Sequence, residues 1–201
     1  MLGLPKSTEL SKQLPKTAIY RKFNMSNAEK EKFDADISRL SIVAEISPQT
    51  LSITVGETVQ SVYVLLVSLK KKDFNDNTII KVTKLINQNM LLVLESEGES
   101  KLAICHTKLI QSEWKPTDEL QLSLTGLNLD EIWESIVVQV GGIDVEEGNT
   151  LEQQIVVNEQ QEKLKKEIER LEKLARKETQ PKKKFELVQK IKGLKEEMLN
   201  G

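Results

Sequence analysis

The sequence has few of the residues that carry most enzyme chemistry. It contains one cysteine, one histidine and 4% aromatic residues in a chain of 201. A single cysteine excludes an intrachain disulfide, and a tetrahedral zinc site needs three or four nitrogen or sulfur ligands. The glycine-rich motifs of nucleotide hydrolysis, dinucleotide binding and α/β-hydrolase chemistry are also missing from the chain. We therefore expect no cofactor and no metal.

Long apolar runs are missing as well. The longest, Val62 to Val67, is far shorter than the roughly 20 residues that span a bilayer. The opening MLGLPKSTEL has no apolar core of the kind found in signal peptides. These features predict a cytoplasmic protein without a membrane segment.

Charge is abundant but unevenly distributed. Residues 151–201 hold 13 Lys and Arg against 10 Asp and Glu, whereas residues 1–150 hold 16 against 21. The net charges are thus +3 and −5, which is well short of the basic footprint of a dedicated DNA-binding domain. Two short basic clusters are candidate contacts for a nucleic-acid backbone, although such runs are usually solvated turns. They comprise Lys70, Lys71, Lys72, Lys182, Lys183 and Lys184.

Residues 26–143 have the pattern of an α+β domain. Helices are predicted over 27–39, after Asn75 and after Asn128, each preceded by a capping residue. Strands are predicted over 41–46, 61–69, 91–94 and 102–106, with a weaker one over 120–124. This order predicts a mixed central β-sheet flanked by helices. Residues 1–25 are interpreted as a separate basic segment with a short helix between its two Leu-Pro-Lys triplets, and 144–150 as a linker.

Residues 151–201 predict an antiparallel helical hairpin, or coiled coil. Apolar residues recur with steps of four, three and four on both sides of Thr179-Gln180-Pro181, as in the seam of a coiled coil. Two helices of this length are marginally stable alone, so the hairpin is a candidate interface. The seam residues expected to form it are Leu164, Ile168, Leu171, Ala175, Leu187, Ile191, Leu194 and Met198.

Several segments together resemble a known bacterial family. They are LGLPKSTE, YVLLVSLKKKD, LINQNMLLVLE, SEW at 112–114, GLNLDEIWESIV and LARKETQPKKKFELVQKIKGLKEEM. In order and spacing they resemble the family catalogued as domain of unknown function 4391, over nearly the whole chain. Members are often encoded beside helicases and DNA methyltransferases. The resemblance therefore implies an accessory part in restriction or phage defence, with such proteins as partners.

Two constellations raise the possibility of catalysis. Cys105 and His106 are adjacent, and adjacent strand residues point to opposite faces. We therefore expect a core cysteine and a histidine that is a polar surface or hydrogen-bonded residue, rather than a reactive pair. The order of elements also loosely resembles a restriction-endonuclease core. In that case Asp36, Glu45 and Lys70 are the candidate catalytic residues. Ser68 stands where that core would need a carboxylate, which favours an inactive relative.

Three functional hypotheses follow from these patterns. The first is a non-enzymatic adaptor subunit of a DNA-acting complex, which packs through its body and assembles through its hairpin. The second is a metal-dependent nuclease, or a degenerate relative of one. The third is a homo-oligomer whose hairpins pair with each other.

Overall fold

A computed structural model describes residues 2–145 and 150–200 of the chain. The chain divides into two compact units, Met1–Ile143 and Asp144–Gly201, which are called the body and the hairpin below. The predicted linker 144–150 begins at this division, and its residues 146–149 lie outside the described part.

The body is built on a mixed β-sheet with seven strands among the described residues. Strands β1 to β6 lie side by side in chain order, and β7 pairs with the edge of β5. Strands β3 and β4 are parallel, joined by a helix, and the other pairs are antiparallel. This confirms the predicted mixed α+β class. The strands are β1 (Glu9–Gln13), β2 (Ile37–Ile46), β3 (Val62–Leu69), β4 (Asn89–Ser96), β5 (Glu99–Cys105), β6 (Leu109–Gln111) and β7 (Lys115–Pro116).

Four helices belong to the body: α1 (Lys16–Lys22), α2 (Asn27–Asp36), α3 (Asp76–Thr83) and α4 (Leu129–Gly141). The starts of α2, α3 and α4 follow the predicted caps. Ser26 forms a capping box with Glu29, while the side chains of Asn75 and Asn128 accept backbone N–H groups of α3 and α4.

Two apolar layers enclose the sheet. One cluster joins α1, α2 and α3 to alternate residues of β2, β3 and β4, with Ile19, Phe33 and Ile79 fully buried. Residues of the opposite parity on the strands are also buried, and α4 packs on β5 and β6. Since side chains alternate across a strand, helices cover both faces.

Two local predictions are wrong, and a third is confirmed only in part. Helix α2 ends at Asp36 instead of residue 39, because Ile37 already pairs with Leu69 as the first residue of β2. The short helix predicted between the Leu-Pro-Lys triplets is a 3₁₀ helix, Lys6–Thr8, and β1 follows it directly. Residues 120–124 form no strand, although Leu120 and Leu122 are buried.

The N-terminal basic segment is part of the body. Strand β1 pairs with β2, with Gln13 opposite Ser41, and Ile19 of α1 lies in the core. The strand conformation of β1 results from its pairing with β2, almost 30 residues away, and the local sequence does not reveal this pairing.

The hairpin consists of α5 (Leu151–Lys177) and α6 (Pro181–Asn200), which pack against each other. A capping box between Thr150 and Gln153 begins α5. Pro181 begins α6, a position where its missing N–H group costs nothing. Within the described part of the chain, no helix is both long enough and apolar enough to cross a membrane.

Candidate interaction surfaces

The three residues of the nuclease hypothesis do not come together. Asp36 and Lys70 are close, since the Lys70 N–H donates to the Asp36 carbonyl oxygen over 2.8 Å. Glu45 pairs with Tyr63 near the other end of the β2–β3 ladder. Nine residues of extended chain separate it from Asp36, a span of about 30 Å. Nor do residues 2–145 and 150–200 bring three His, Cys, Asp or Glu side chains together as metal ligands.

Asp36 is occupied with holding the start of α3. Its buried carboxylate accepts the Asn75 N–H at 3.2 Å and the Thr78 hydroxyl at 3.1 Å. A buried carboxylate with such partners stabilises the local fold, and its loss would leave two donors unsatisfied. The structure thus gives Asp36 a positioning role between α2 and α3.

The first lysine triplet, Lys70–Lys72, follows β3 directly and is surrounded by acids. The Lys71 ammonium lies 3.7 Å from the Asp36 carboxylate, and Lys72 forms an ion pair with Glu99. Lys70 is near enough to Asp34 to lower the pKa of that carboxyl. Neighbouring carboxylates therefore offset much of the positive field of this triplet.

Another lysine of the body, Lys101, lies over two aromatic rings. Its ammonium is 4.8 Å from the centre of the Phe74 ring and 5.1 Å from that of Trp114. Lys72 approaches the same indole at 5.6 Å. Burial lowers the pKa of Lys101, although Asp76 and Glu113 oppose the shift. Trp114 is thus half-buried and covered by lysines, whereas Trp133 is buried in the core.

A hydrogen-bonded group joins α1 to α2. The Asp34 carboxylate accepts from the Lys16 ammonium and the Tyr20 hydroxyl, each at 2.6 Å. Burial would raise the pKa of the Asp34 carboxyl, but these two bonds outweigh it and lower the pKa. Burial and the bond to Asp34 raise the pKa of Tyr20. The bonds also fix the N-terminal segment on the body.

Asp130, in the first turn of α4, holds the loop before β3. Its carboxylate accepts the N–H groups of Glu57 and Val59 at 2.6 and 2.8 Å and the Thr58 hydroxyl at 2.8 Å. The Thr58 bond, followed by the backbone bonds, lowers the pKa of Asp130 against the effect of burial. A side chain at Gly56 would collide with this carboxylate, because a Cβ there would lie 2.4 Å from its oxygen.

Cys105 and His106 form no pair on a common strand. Strand β5 ends at Cys105, and His106 begins the turn to β6. The prediction of a core position is wrong for Cys105, which is half-buried. His106 is also half-buried, and its assignment as a surface or hydrogen-bonded residue stays a prediction. Cys105 ends β5, which lies between β4 and β6, and it pairs with Leu109 of β6.

The seam of the hairpin is formed by the residues whose spacing predicted it. Ile168, Leu171, Ala175 and Ile191 are buried, and Leu187, Leu194 and Met198 pack against them. Leu164 is half-buried and lines a groove that Met198 also lines. An ion pair of 2.8 Å between Glu172 and Lys195 joins the two helices beside the seam.

Apolar side chains also remain exposed on the outside of the hairpin. Leu174 is 44% and Val188 49% exposed, each beside a groove lined by both helices. The groove at Leu174 has a volume of about 580 Å³, and that at Val188 about 290 Å³. Phe185 is 63% exposed on α6. These side chains do not contribute to the buried seam.

The second lysine triplet, Lys182–Lys184, occupies the first turn of α6 and is exposed. All three side chains are exposed, and none forms an ion pair with another residue that the structure describes. The first turn of α6 also contains no acidic residue. Lysines at a helix N-terminus oppose the helix dipole, so this placement does not serve helix stability.

The comparisons with known proteins identify a family. A model described as "Domain of unknown function (DUF4391)" matches residues 2–198. The chain belongs to the DUF4391 family. This confirms the resemblance seen in the sequence. Neither the curated proteins nor the solved structures contain a match to the chain.

Sequence reasoning missed the carboxylates that face the first triplet and the rings that cover Lys101. The partners come from distant segments: Asp36 precedes β2, Glu99 begins β5, and Trp114 follows β6. The hydrogen bonds from the loop at 57–59 to the Asp130 carboxylate were also missed, although the sequence shows an aspartate at the start of a predicted helix and Gly56 in a loop. No local spacing joins such residues.

Proposed function

We propose that this protein is a non-enzymatic accessory subunit of a bacterial DNA-acting complex, of restriction or phage-defence type. In this proposal the hairpin binds the partner, a helicase or DNA methyltransferase. The family membership leaves the activity open, so the proposal depends on the surfaces of this chain.

The observation that carries the proposal is the distribution of exposed apolar residues. Among the described residues, eight large hydrophobic side chains are exposed, and four of them lie on the two helices of the hairpin, α5 and α6. Apolar surface that is exposed as a contiguous patch marks a protein interaction site. The four are Val156, Leu174, Phe185 and Val188.

The shape of these grooves fits an amphipathic helix. Each groove is lined by apolar residues, such as Leu187 or Ile191, together with charged residues. A helix that inserts its apolar face between two others buries its anchors and leaves its charges at the edge. A partner segment of this kind would complete a three-helix packing unit.

The nuclease hypothesis receives less support. Glu45 lies about 30 Å along the strand from Asp36, and Asp36 itself is engaged with the start of α3. A two-metal or one-metal nuclease requires carboxylates that converge on the ion. Asp36, Glu45 and Lys70 do not meet this condition.

Co-expression with the adjacent helicase or methyltransferase tests the proposal. A tagged wild-type chain is expected to retain the partner, and Leu174→Glu and Val188→Glu each to reduce its recovery at least tenfold. Gln189→Glu is the matched control, since it adds the same charge one residue from Val188 on the exposed surface of α6. It is expected to retain the partner, and circular dichroism checks that all variants are folded.

Three results would contradict the proposal. Recovery of the wild-type chain without the co-expressed partner would contradict the hypothesis that the protein is an adaptor. A stable dimer of the isolated chain by light scattering, lost in Val188→Glu, would favour the homo-oligomer. Divalent-metal-dependent DNA cleavage that disappears in Glu45→Ala would favour the nuclease.

A further inference from the structure

We propose that the end of the hairpin, residues 173–190, is a contact surface for the phosphate backbone of duplex DNA. This surface is called the basic tip. This inference extends the proposed function, and it rests on that function for the choice of DNA over other polyanions. Its cations come from the end of α5 and the start of α6: Lys173, Arg176, Lys177, Lys182, Lys183, Lys184 and Lys190.

The basic tip has a concentrated and largely uncompensated charge. Seven Lys and Arg stand against two acidic residues, Glu178 and Glu186, and all seven cations are exposed. Arg176 and Lys190 are near enough to Glu172 and Glu167 to lower the pKa of those carboxyls. The remaining five make no ion pair with any residue in the described ranges. A cluster of this kind produces a local positive field despite the net charge of −2 on the whole chain.

The arrangement also costs helix stability. Lys182, Lys183 and Lys184 stand in the first turn of α6, where acidic residues are favoured. A basic residue at a helix N-terminus interacts unfavourably with the helix dipole, and three such residues stand here. Since the fold does not benefit from these charges, a polyanionic partner accounts for them better than internal stabilisation does.

The composition of the tip favours nucleic acid over a protein partner. From Lys177 to Lys184 the chain reads KETQPKKK, without one large apolar residue. Lysine is depleted at the buried centres of protein interfaces, which need apolar anchors, whereas lysine is a common contact of phosphate oxygens. Leu174 and Val188 flank this stretch within the tip and share their grooves with Lys183 and Lys184, so the DNA surface adjoins the protein interface proposed above.

The same composition favours duplex over single-stranded nucleic acid. Single-strand binding uses several aromatic side chains as stacking platforms, and the tip has one aromatic residue, Phe185. Phosphate contacts by lysine carry no sequence information. We therefore expect binding without sequence preference and with a strong dependence on salt.

Fluorescence anisotropy of the full-length chain with a labelled 20-base-pair duplex tests this inference. The test variant is Lys182→Gln/Lys183→Gln/Lys184→Gln. Its matched control, Lys163→Gln/Lys165→Gln/Lys166→Gln, removes the same charge from exposed positions on the same hairpin, away from the tip. We expect wild type to bind with a linear dependence of log K on log salt, and the test variant to bind at least tenfold more weakly at low salt. The control is expected to change affinity less than twofold.

The possible failures can be told apart. Equal weakening by the two triple variants would show that net charge, not the tip, governs binding, and would overturn the inference. Competition by polyaspartate that exceeds competition by duplex DNA of the same charge would assign the tip to an acidic protein. If the wild-type chain retains its partner but binds no DNA, the inference fails and the proposed function stands. If the tip binds DNA but no partner is recovered, the proposed function fails alone.

Discussion

Two Lys-Lys-Lys triplets in one chain have different electrostatic surroundings. Lys70–Lys72 follow a core strand and face Asp34, Asp36 and Glu99, with Trp114 beneath Lys72. Lys182–Lys184 begin a helix at the end of the hairpin and have no acidic partner in the part of the chain that the structure describes. The same three letters thus give a compensated cluster in one place and an open positive surface in the other.

The difference shows that the electrostatic field of a basic run depends on the residues that fold next to it. In the body, acids from α2 and β5 reach the first triplet because the sheet brings remote segments together. In the hairpin, neighbours in space are mostly neighbours in sequence, and the nearby sequence is basic. We therefore assign polyanion binding to the second triplet and a structural part to the first.

The largest effect is expected from removing the seam that holds the second triplet in place. Leu171 is 3% exposed between the two helices, and Leu171→Ala should destabilise the hairpin by about 2–4 kcal/mol. Leu174→Ala, three residues away but 44% exposed, should cost less than about 0.5 kcal/mol. Hydrogen exchange of the α5 and α6 amides measures both, and equal protection in the two variants would contradict the observed seam.

A smaller effect is expected at the aromatic surface beside the first triplet. Trp114→Ala removes a half-buried ring that contacts both Lys72 and Lys101, and should lower the free energy of unfolding of the body by about 1–3 kcal/mol. It should also raise the pKa of Lys101 toward its ordinary value, because burial lowers it in the wild type.

Urea denaturation and NMR titration of ¹³C-methylated lysines check the two parts of this prediction. Phe185→Ala is the control, since that aromatic ring is exposed on the hairpin. An unchanged Lys101 titration in Trp114→Ala would show that the rings do not desolvate the ammonium.

The smallest effect concerns the pH dependence of the acids around the first triplet. Bonds from Lys16 and Tyr20 hold the pKa of Asp34 below its unfolded value, which is about 3.9. The folded state then binds fewer protons, so the contribution of Asp34 is present above about pH 4 and is lost as the pH falls through the depressed pKa. Urea midpoints of wild type and Asp34→Asn should differ at pH 6 and converge toward pH 3. A constant difference at both pH values would contradict the ionised role of Asp34.

The sequence allowed the hairpin and the sheet class to be predicted because their signals are local or periodic. Leu171, Ala175 and Ile191 obey a spacing that only a packed helix pair explains. The end of α2 could not be placed, because Ile37 leaves the helix to pair with Leu69, more than 30 residues later. The contacts of the candidate site could not be predicted for the same reason, since they join residues that are remote in sequence. Spacing alone does not show that Glu45 lies far from Asp36, or that Glu99 reaches Lys72.

The central claim, that the two triplets differ in function, is tested most directly by the salt dependence of DNA binding. Lys182→Gln/Lys183→Gln/Lys184→Gln should reduce the slope of log K against log salt by about 2 to 3, as expected for the loss of three phosphate contacts. The equivalent change at Lys70, Lys71 and Lys72 should leave the slope within about 0.5 of the wild-type value. Equal reductions in slope, or a larger reduction from the body triplet, would contradict the account.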